Sequence, residues 1–551
     1  MSLQTPPMII DMHVHMFNAR YVPLKEIFES RGVPRLLAEL LTKLALACTD
    51  KSPLHMQPDR QGKFAFDKLI HAQAEHGSLK HGSHGDDADL AAYLELLEDI
   101  AISQLLLEQS EASHSFELRA ALVESDIHKV LLEIDKDFGD EESHRVLDIY
   151  NSEGLVNQFE LMKSASGSSL KNLFPSIRRM LARFLRKALA FVEKAGDFLT
   201  FVITMMCHER TLLKRIERYY REANCETLLV HYMMDMDYPF KGKSQIPFYD
   251  RQLVRMSALE QFSEGALIGF AAFDPTRFLA EGSAGPDKEA IIQHIEIARS
   301  FGKLGFKFYP PMGFRPAQNT SSTMEDVVDI FLDYCVEKRI PVFTHCTPEG
   351  FEVCPKSGEN AHPKYWEAAL SKNEDRKKLI LCFGHAGGGI MKLSEGTTMG
   401  WLSDDNQWQA EGNYAPWVVR LCRQYENVYC EVAYFHEIIG NSENIAAFKI
   451  RLINELARGV DANHPYEFWT KIMYGSDWHM PNMVDDLDDY LKTLLGLFSD
   501  DPLANHRDDF FYRNALRYLR LDTYLSRALS RAEKQLGLGY AEGLANRLGA
   551  A

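Results

Sequence analysis

The sequence has few cysteines, an excess of acidic over basic residues, and no apolar run long enough to cross a membrane. Its 551 residues contain nine cysteines, an odd number without a CxxC pair, which is typical of reduced thiols in the cytoplasm. A net charge of −17 argues against nucleic-acid and anionic-membrane partners. The most apolar stretch, residues 198–207, is much shorter than the roughly 20 residues of a membrane span, so we interpret it as a buried helix.

A short apolar run near the N-terminus carries the most informative pattern. Asp11, His13 and His15 occupy alternate positions in it, and the alternation of a β-strand predicts that their side chains share one face. Two imidazoles on one rigid strand suit a divalent metal such as zinc, which then needs further ligands from elsewhere in the chain. The alternative is a pair of polar residues on a solvated face.

Seven further apolar runs predict strands, and helix-like stretches separate most of them. The predicted strands cover residues 226–234, 265–274, 303–309, 340–346, 378–386, 427–435 and 471–477, and the helix-like stretches include 208–223, 287–302, 322–338 and 444–458. A strand-helix alternation repeated about eight times predicts an α/β fold, a closed parallel (β/α)8 TIM barrel with its helices outside.

Polar residues lie near the ends of several predicted strands, where barrel enzymes place their chemistry. Lys307, His345, His385 and Asp477 lie near the ends of the fourth, fifth, sixth and eighth strands. Alternation places the last three of these on the face of an apolar neighbour, in the pairs Phe343 with His345, Phe383 with His385 and Met473 with Asp477. We therefore expect the four polar side chains to converge in the mouth of the barrel.

These motifs resemble those of the amidohydrolase superfamily, and more closely its amidohydrolase-related (amidohydrolase 2) branch. The resemblance covers residues 8–16 and roughly 225–520. The motifs are Asp11-Met12-His13-Val14-His15, Gly305-Phe306-Lys307, Thr344-His345, Phe383-Gly384-His385-Ala386-Gly387, Tyr474-Gly475-Ser476-Asp477-Trp478 and Arg513-Asn514-Ala515. The resemblance implies a distorted eight-stranded barrel and a centre of one or two divalent metal ions, with zinc as the default. It also implies a metal-bound water as nucleophile in the hydrolytic members.

The resemblance also implies roles for individual residues. The residues that match the family's ligand positions are His13, His15, His345 and Asp477. Asp477 would also take a proton from the nucleophilic water, and His385 is either a ligand of a second metal or a general acid/base. Lys307 is either a carbamylated bridge between two metals or a cation that binds a substrate carboxylate.

A Pro- and Gly-rich stretch, residues 309–315, follows the fourth strand directly. This composition predicts a loop over the mouth of the barrel. With Lys307, the loop residues Tyr309 and Arg315 are the candidate substrate-binding residues. Arg315 has the two-pronged donor geometry that suits a carboxylate or phosphate; the alternative is a solvated arginine on a loop.

The chain exceeds the roughly 250 residues of a plain barrel, so we expect a large insertion. The predicted division is a first barrel strand in residues 1–19, a helical insertion or cap in 20–223, the rest of the barrel in 224–520 and a C-terminal helical tail in 521–551. Inserted after a barrel strand, the cap is either a lid over the mouth or a subdomain that forms a homodimer, and the sequence leaves both open.

The sequence thus predicts a metal-dependent hydrolase that cleaves a C–N or C–O bond of a small anionic amide, lactone or ester by metal-activated water. The resemblance also implies an alternative, a decarboxylase with a single metal that acts non-oxidatively on an aromatic or muconate-type acid. A barrel without catalytic activity that serves as a binding or scaffold protein has little support, because every expected type of metal ligand is present in the sequence.

Overall fold

The computed structural model describes residues 8–30, 209–242, 251–279, 286–392, 398–478 and 487–549, together with single positions 38, 42, 46 and 244. Most of the predicted helical insertion, including the apolar run 198–207, lies outside these described residues. Its predicted role as a lid or as a dimerisation subdomain therefore stays a prediction.

Eight parallel strands form the centre of the fold, and they are neighbours in the order in which they follow along the chain. They are β1 (Ile9–Val14), β2 (Thr227–Tyr232), β3 (Leu267–Phe273), β4 (Gly305–Phe308), β5 (Val342–Thr344), β6 (Leu381–Phe383), β7 (Val428–Glu431) and β8 (Ile472–Met473). Backbone contacts beyond β8 bring the ring back to β1, because the Met12 N–H donates to the Tyr474 carbonyl at 3.1 Å. The predicted barrel is confirmed, with strands shorter than the apolar runs.

Helices lie around this barrel. They are α1 (Leu24–Ser30), α2 (Glu209–Glu222), α3 (Leu253–Phe262), α4 (Lys288–Ser300), α5 (Ser322–Lys338), α6 (Pro363–Leu370), α7 (Asp405–Trp408), α8 (Tyr414–Gln424), α9 (Ser442–Leu456), α10 (Leu487–Leu497), α11 (Asn514–Leu519), α12 (Leu521–Leu536) and α13 (Leu538–Gly549). The helices predicted at 208–223, 287–302, 322–338 and 444–458 are confirmed within about two residues. Among the described residues, no helix is both long and apolar enough to span a membrane.

Side-chain caps explain where two of the outer helices begin. Asp287 accepts hydrogen bonds from the backbone N–H groups of Glu289 and Ala290 at the start of α4. Ser321 accepts one from the Met324 N–H at the start of α5. Each cap satisfies backbone donors that the first turn of a helix leaves without a partner.

The last two helices close the end of the barrel at which the strands begin. The Tyr540 hydroxyl on α13 donates to the carbonyl of Leu267, the first residue of β3, at 2.8 Å. Gly265, just before β3, has φ +86°, and a Cβ there would lie 2.1 Å from the Leu544 backbone nitrogen. Because the C-terminal helices cover this end, the opposite, carboxyl end of the strands is left for a functional site.

A bulge in β1 changes which of its side chains point into the barrel. Asp11 is paired with Leu229, and Val14 is paired with His231, so three steps along β1 oppose two steps along β2. One extra residue in a strand interrupts the strict alternation of its side chains.

The bulge corrects the predicted face of Asp11. The side chain of Met12 packs in the barrel interior, and the ring of His13 lies inside as well, 4.8 Å from the ring of Phe343. Asp11 instead points outward and accepts a hydrogen bond from Tyr220 on α2 at 2.6 Å. The prediction that Asp11 shares a face with the two histidines is therefore wrong.

The turn after β6 requires a second correction. Phe383 packs in the outer layer, with its ring 6.4 Å from that of Trp366, whereas the ring of His385 lies 5.0 Å from that of His13 in the interior. The strand ends at Phe383, and the next residues form a 3-10 turn, Gly384–Gly387. The prediction that Phe383 and His385 share a face is wrong because strand alternation does not continue through this turn.

Candidate metal centre

Three side chains, from the end of β1 and from the segment after β8, converge at the carboxyl end of the barrel. Asp477 Oδ1 lies 3.2 Å from His15 Nε2 and 3.3 Å from His13 Nε2. All three residues are buried. Their ligand atoms lie close enough together to hold one metal ion.

The predicted histidines that follow β5 and β6, His345 and His385, form a second pair beside this group. His385 Nε2 lies 3.1 Å from His345 Nδ1. The rings of His385 and His13 are 5.0 Å apart between centroids, which joins the pair to the β1 histidines. The structure therefore brings together His13, His15, His345, His385 and Asp477 as the sequence predicted.

Lys307 enters the same space from β4. Its Nζ lies 3.3 Å from His13 Nε2. The faces of three aromatic rings surround the amine at 5.3 to 5.5 Å from their centroids, and they belong to Tyr232, Tyr309 and Phe343. Cation–π contacts of this kind favour a positive charge at Nζ.

A hydrogen bond on the outer side of each imidazole fixes its orientation. The four bonds join His13 Nδ1 to Glu431 Oε1 (2.8 Å), His15 Nδ1 to the Tyr232 carbonyl (3.1 Å), His385 Nδ1 to the Ala433 carbonyl (3.2 Å) and His345 Nε2 to the Glu349 carbonyl (2.6 Å). Because a carbonyl or carboxylate oxygen accepts, we assign the ring proton to the outer nitrogen in each case. The inner nitrogen of each neutral ring then carries a lone pair directed into the site.

Left-handed backbone conformations turn two of these side chains inward. His385 has φ +59° and Asp477 has φ +57°, a region that L-residues other than glycine seldom adopt. Gly387 follows with φ +87°, and a Cβ there would lie 2.5 Å from the backbone nitrogen of Ala415. Backbone strain of this type is concentrated at functional sites.

Burial sets the charge state of the imidazoles. Loss of solvent contact, followed by repulsion from the charge of Lys307, lowers the pKa of His13 and of His15 well below the usual value. Burial and then the charge of His385 lower the pKa of His345 in the same direction. Near neutral pH the rings are therefore uncharged, which is the form that binds metals.

The two ionisable groups that face these rings respond to burial in opposite directions. Burial raises the pKa of Asp477 to about 6, although His385 and Lys307 act to lower it. Burial lowers the pKa of Lys307 to about 8, although Asp477 and Glu431 act to raise it.

The donor set fits a divalent metal. Within the described part of the chain, Asp477 Oδ1 is buried and receives no hydrogen bond. The nitrogen lone pairs of His13 and His15 point towards it, so three hydrogen-bond acceptors face one another. Ligand atoms bound to one zinc at roughly 2.0–2.1 Å lie about 3.0–3.5 Å apart, which matches the separations of 3.2 and 3.3 Å. A cation between these acceptors would remove their mutual repulsion.

Glu431, the last residue of β7, is a site residue that the sequence analysis missed. Its carboxylate contacts His13 Nδ1 and also accepts the backbone N–H of His385 at 2.9 Å. With His13 and His385 it forms a second group that has the spacing of metal ligands. The signal that could have revealed it is one acidic residue in the middle of the otherwise mostly apolar predicted strand 427–435.

The structure places the two predicted loop residues differently. The ring of Tyr309 packs on His345 at 4.6 Å between centroids, and its hydroxyl accepts the Phe351 N–H at 2.9 Å. Arg315 contacts the Asn360 side chain at 2.7 Å and lies over the ring of Tyr365. Tyr309 therefore lines the site, whereas these contacts direct Arg315 to the segment at the start of α6 and not to the histidines.

Comparison with known families agrees with this geometry. The family model described as amidohydrolase matches residues 266–521. This region belongs to the amidohydrolase family. The amidohydrolase region begins just before β3 and ends at the first residue of α12, so His13 and His15 on β1 lie outside it.

Two solved structures are similar to this chain at low identity. Both are of an amidohydrolase from Burkholderia multivorans, one with bound zinc and one with bound HEPES. Their sequence identities to this chain are 10% and 11%, each comparison covers 56% of this chain and 88% of the other, and the TM-scores are 0.35 and 0.34. No curated protein matches the chain.

Proposed function

We propose that this protein is a metal-dependent hydrolase that cleaves a C–N or C–O bond of a small, anionic amide, lactone or ester. The observation that carries the proposal is the buried Oδ1 of Asp477, which faces the inner nitrogens of His13 and His15 at 3.3 and 3.2 Å. Three acceptors directed at one another are unfavourable without a cation between them, and the amidohydrolase family that matches residues 266–521 consists of metal-dependent enzymes.

His13, His15 and Asp477 would hold the metal, with His345 as a further ligand. A bound divalent ion lowers the pKa of water from about 15.7 towards 7 and polarises a carbonyl. We propose zinc as the first ion to test, because imidazole and carboxylate donors suit it, although they also suit other divalent transition metals.

The remaining side chains bind the substrate and move protons. We propose that Asp477 accepts the proton of the attacking water and passes it to the unprotonated Nε2 of His385, which faces into the site and returns this proton to the leaving group. Lys307 would bind the anionic group of the substrate, while the ring of Tyr309 limits the space above His345.

The chemical state of Lys307 distinguishes two arrangements of the site. As a carbamate it would bridge two metals, with His345 and His385 as ligands of the second ion. As a free amine beside one metal it would bind a substrate carboxylate. The rings of Tyr232 and Phe343, whose centroids lie 5.3 and 5.5 Å from Lys307 Nζ, would suit an aromatic acid. The second arrangement favours the decarboxylase as the alternative function.

The test is the metal content per chain, measured by elemental analysis on protein purified without added metal. We would compare the wild type with Lys307→Ala and with His13→Ala/His15→Ala. Lys471→Ala is a matched control, because Lys471 is also buried, burial also lowers its pKa to about 8, and its amine also lies over tyrosine rings, at 4.7 and 4.8 Å.

Each outcome decides between the arrangements. Two metals in the wild type and one or none in Lys307→Ala would support the carbamylated bridge and the hydrolase. One metal in both would make Lys307 a substrate-binding residue and raise the decarboxylase to equal standing. Metal that persists in the His13→Ala/His15→Ala protein at the wild-type level would overturn the proposed centre.

A further inference from the structure

The outward-facing carboxylate of Asp11 receives four hydrogen bonds although the residue is fully buried. Its Oδ1 accepts the backbone N–H groups of His13 at 3.1 Å and of Ser476 at 2.9 Å. Its Oδ2 accepts the Ser476 hydroxyl and the Tyr220 hydroxyl, both at 2.6 Å. A single side chain thus joins β1, the segment after β8 and helix α2.

Two of these bonds fix the backbone beside the proposed metal ligands. The bond from the His13 N–H to the side chain two residues earlier stabilises a local turn, and this turn lies in the bulge that directs His13 and His15 inward. The bonds from Ser476 hold the residue immediately before Asp477. Asp11 therefore constrains both sides of the group His13, His15 and Asp477 without contacting a metal itself.

The hydrogen bond from Tyr220 extends this network to the segment that precedes β2. Tyr220 is fully buried on α2, and its hydroxyl also lies 3.0 Å from that of Tyr474. Helix α2 (Glu209–Glu222) ends the long segment between β1 and β2. Through Tyr220, this segment contacts the support of the site from outside the barrel.

We propose that Asp11 is a positioning residue for the metal centre and that Tyr220 makes helix α2 part of the same support. The inference rests on the proposed function, because it assigns these residues to the geometry of that centre. Its rival is that the network only closes the seam between β1 and β8. A purely structural network would change stability, whereas a positioning network changes the affinity for metal at equal stability.

Cobalt binding separates these two roles without a substrate. Metal-free full-length protein is titrated with Co²⁺, and the visible absorption of the bound ion reports both its affinity and its coordination. The variants are Asp11→Asn, which turns one acceptor oxygen into a donor facing two hydroxyls, and Tyr220→Phe, which removes the hydrogen bond to Asp11 together with the contact to the Tyr474 hydroxyl. Tyr540→Phe is the matched control, since it removes one hydrogen bond of a buried tyrosine at the other end of the barrel.

We expect Asp11→Asn to weaken cobalt binding by roughly tenfold to a hundredfold, the usual effect of losing a support for metal ligands. Tyr220→Phe should weaken it on the order of fivefold, the scale of one hydrogen bond, with a changed absorption band. Tyr540→Phe should stay within about twofold of the wild type, because distant sites act independently.

The outcomes distinguish this inference from the proposed function. If the wild type binds no stoichiometric cobalt, the proposed centre is wrong. If the wild type binds cobalt and both variants bind it equally well, the network is structural only, and the metal-centre proposal stands. Should Asp11→Asn fail to fold, Tyr220→Phe against Tyr540→Phe decides the question.

Discussion

Glu431 Oε1 lies 2.8 Å from Nδ1 of His13 inside the barrel. The same carboxylate accepts the backbone N–H of His385 at 2.9 Å, so one residue of β7 orients a ring on β1 and the turn that follows β6. Gly475 makes room for it, because a Cβ at that position would lie 2.5 Å from Glu431 Oε2. This contact supports the imidazoles from the side opposite to the proposed metal.

We expect Glu431→Gln to weaken metal binding by roughly tenfold to a hundredfold. The amide has one acceptor oxygen, whereas the carboxylate uses both of its oxygens, one of them for the Ala433 N–H. Cobalt titration measures the change. Glu325→Gln is the control, because Glu325 also accepts two backbone N–H groups but lies on α5. Equal cobalt affinities in the two variants would show that Glu431 does not support the metal ligands.

His385→Ala should keep the metal held by His13, His15 and Asp477 but lose catalysis. If His385 transfers a proton, kcat should fall by roughly a hundredfold or more on any substrate that the wild type hydrolyses. Metal analysis and kcat are measured on the same preparation. The loss of one metal of two would instead identify His385 as a ligand of a second ion, and an unchanged kcat would contradict both roles. His294→Ala, a histidine on α4, controls for the substitution.

The fold was predictable because each barrel strand is a short apolar run that a helix follows. The strand-end positions of Lys307, His345 and Asp477 were also sufficient to predict that these side chains meet. This prediction requires only that the barrel is parallel, because the carboxyl ends of all strands then lie at one end of it.

The face of the strand on which each side chain lies was not predictable, because local backbone geometry overrides the side-chain alternation of a β-strand. The bulge after Asp11 depends on hydrogen bonds to Ser476 and Tyr220, which lie more than 200 residues away in the sequence. The inward turn of His385 depends on a left-handed conformation that no pattern of apolar residues indicates. Glu431 was missed because its partners come from other strands.

A buried charge network outside the site gives a stability prediction. Glu260 Oε1 contacts His231 Nε2 at 2.8 Å and also contacts the Lys303 amine, and all three side chains are at most 1% exposed. Glu260→Gln leaves the charge of Lys303 buried without its carboxylate, which should lower the free energy of unfolding by about 3–5 kcal/mol.

Urea unfolding measures this change, and two variants make the result specific. Glu260→Gln/Lys303→Met removes both charges and should recover part of the lost stability. Glu374→Gln breaks the exposed pair with Lys377 and should leave the unfolding midpoint unchanged. A Glu260→Gln protein as stable as the wild type would show that the amine of Lys303 is not held by this carboxylate.

Asp274, just after β3, gives a prediction on pH. Burial, and then the charge of Asp235, raise its pKa to about 7, whereas the unfolded chain loses this proton near pH 4. The folded protein binds the proton more tightly, so this group makes the protein less stable as the pH rises from about 4 to about 7.

Asp274→Asn should remove that loss, because an amide does not titrate and its oxygen still accepts the Thr276 N–H that Asp274 holds at 2.9 Å. The stability of the variant relative to the wild type should therefore grow by about 1.4 kcal/mol for each pH unit across this range. Urea unfolding at several pH values measures it, with Asp287→Asn at the exposed cap of α4 as the control for a lost capping carboxylate. A relative stability that stays constant with pH would show that Asp274 is ionised in the folded protein throughout the range.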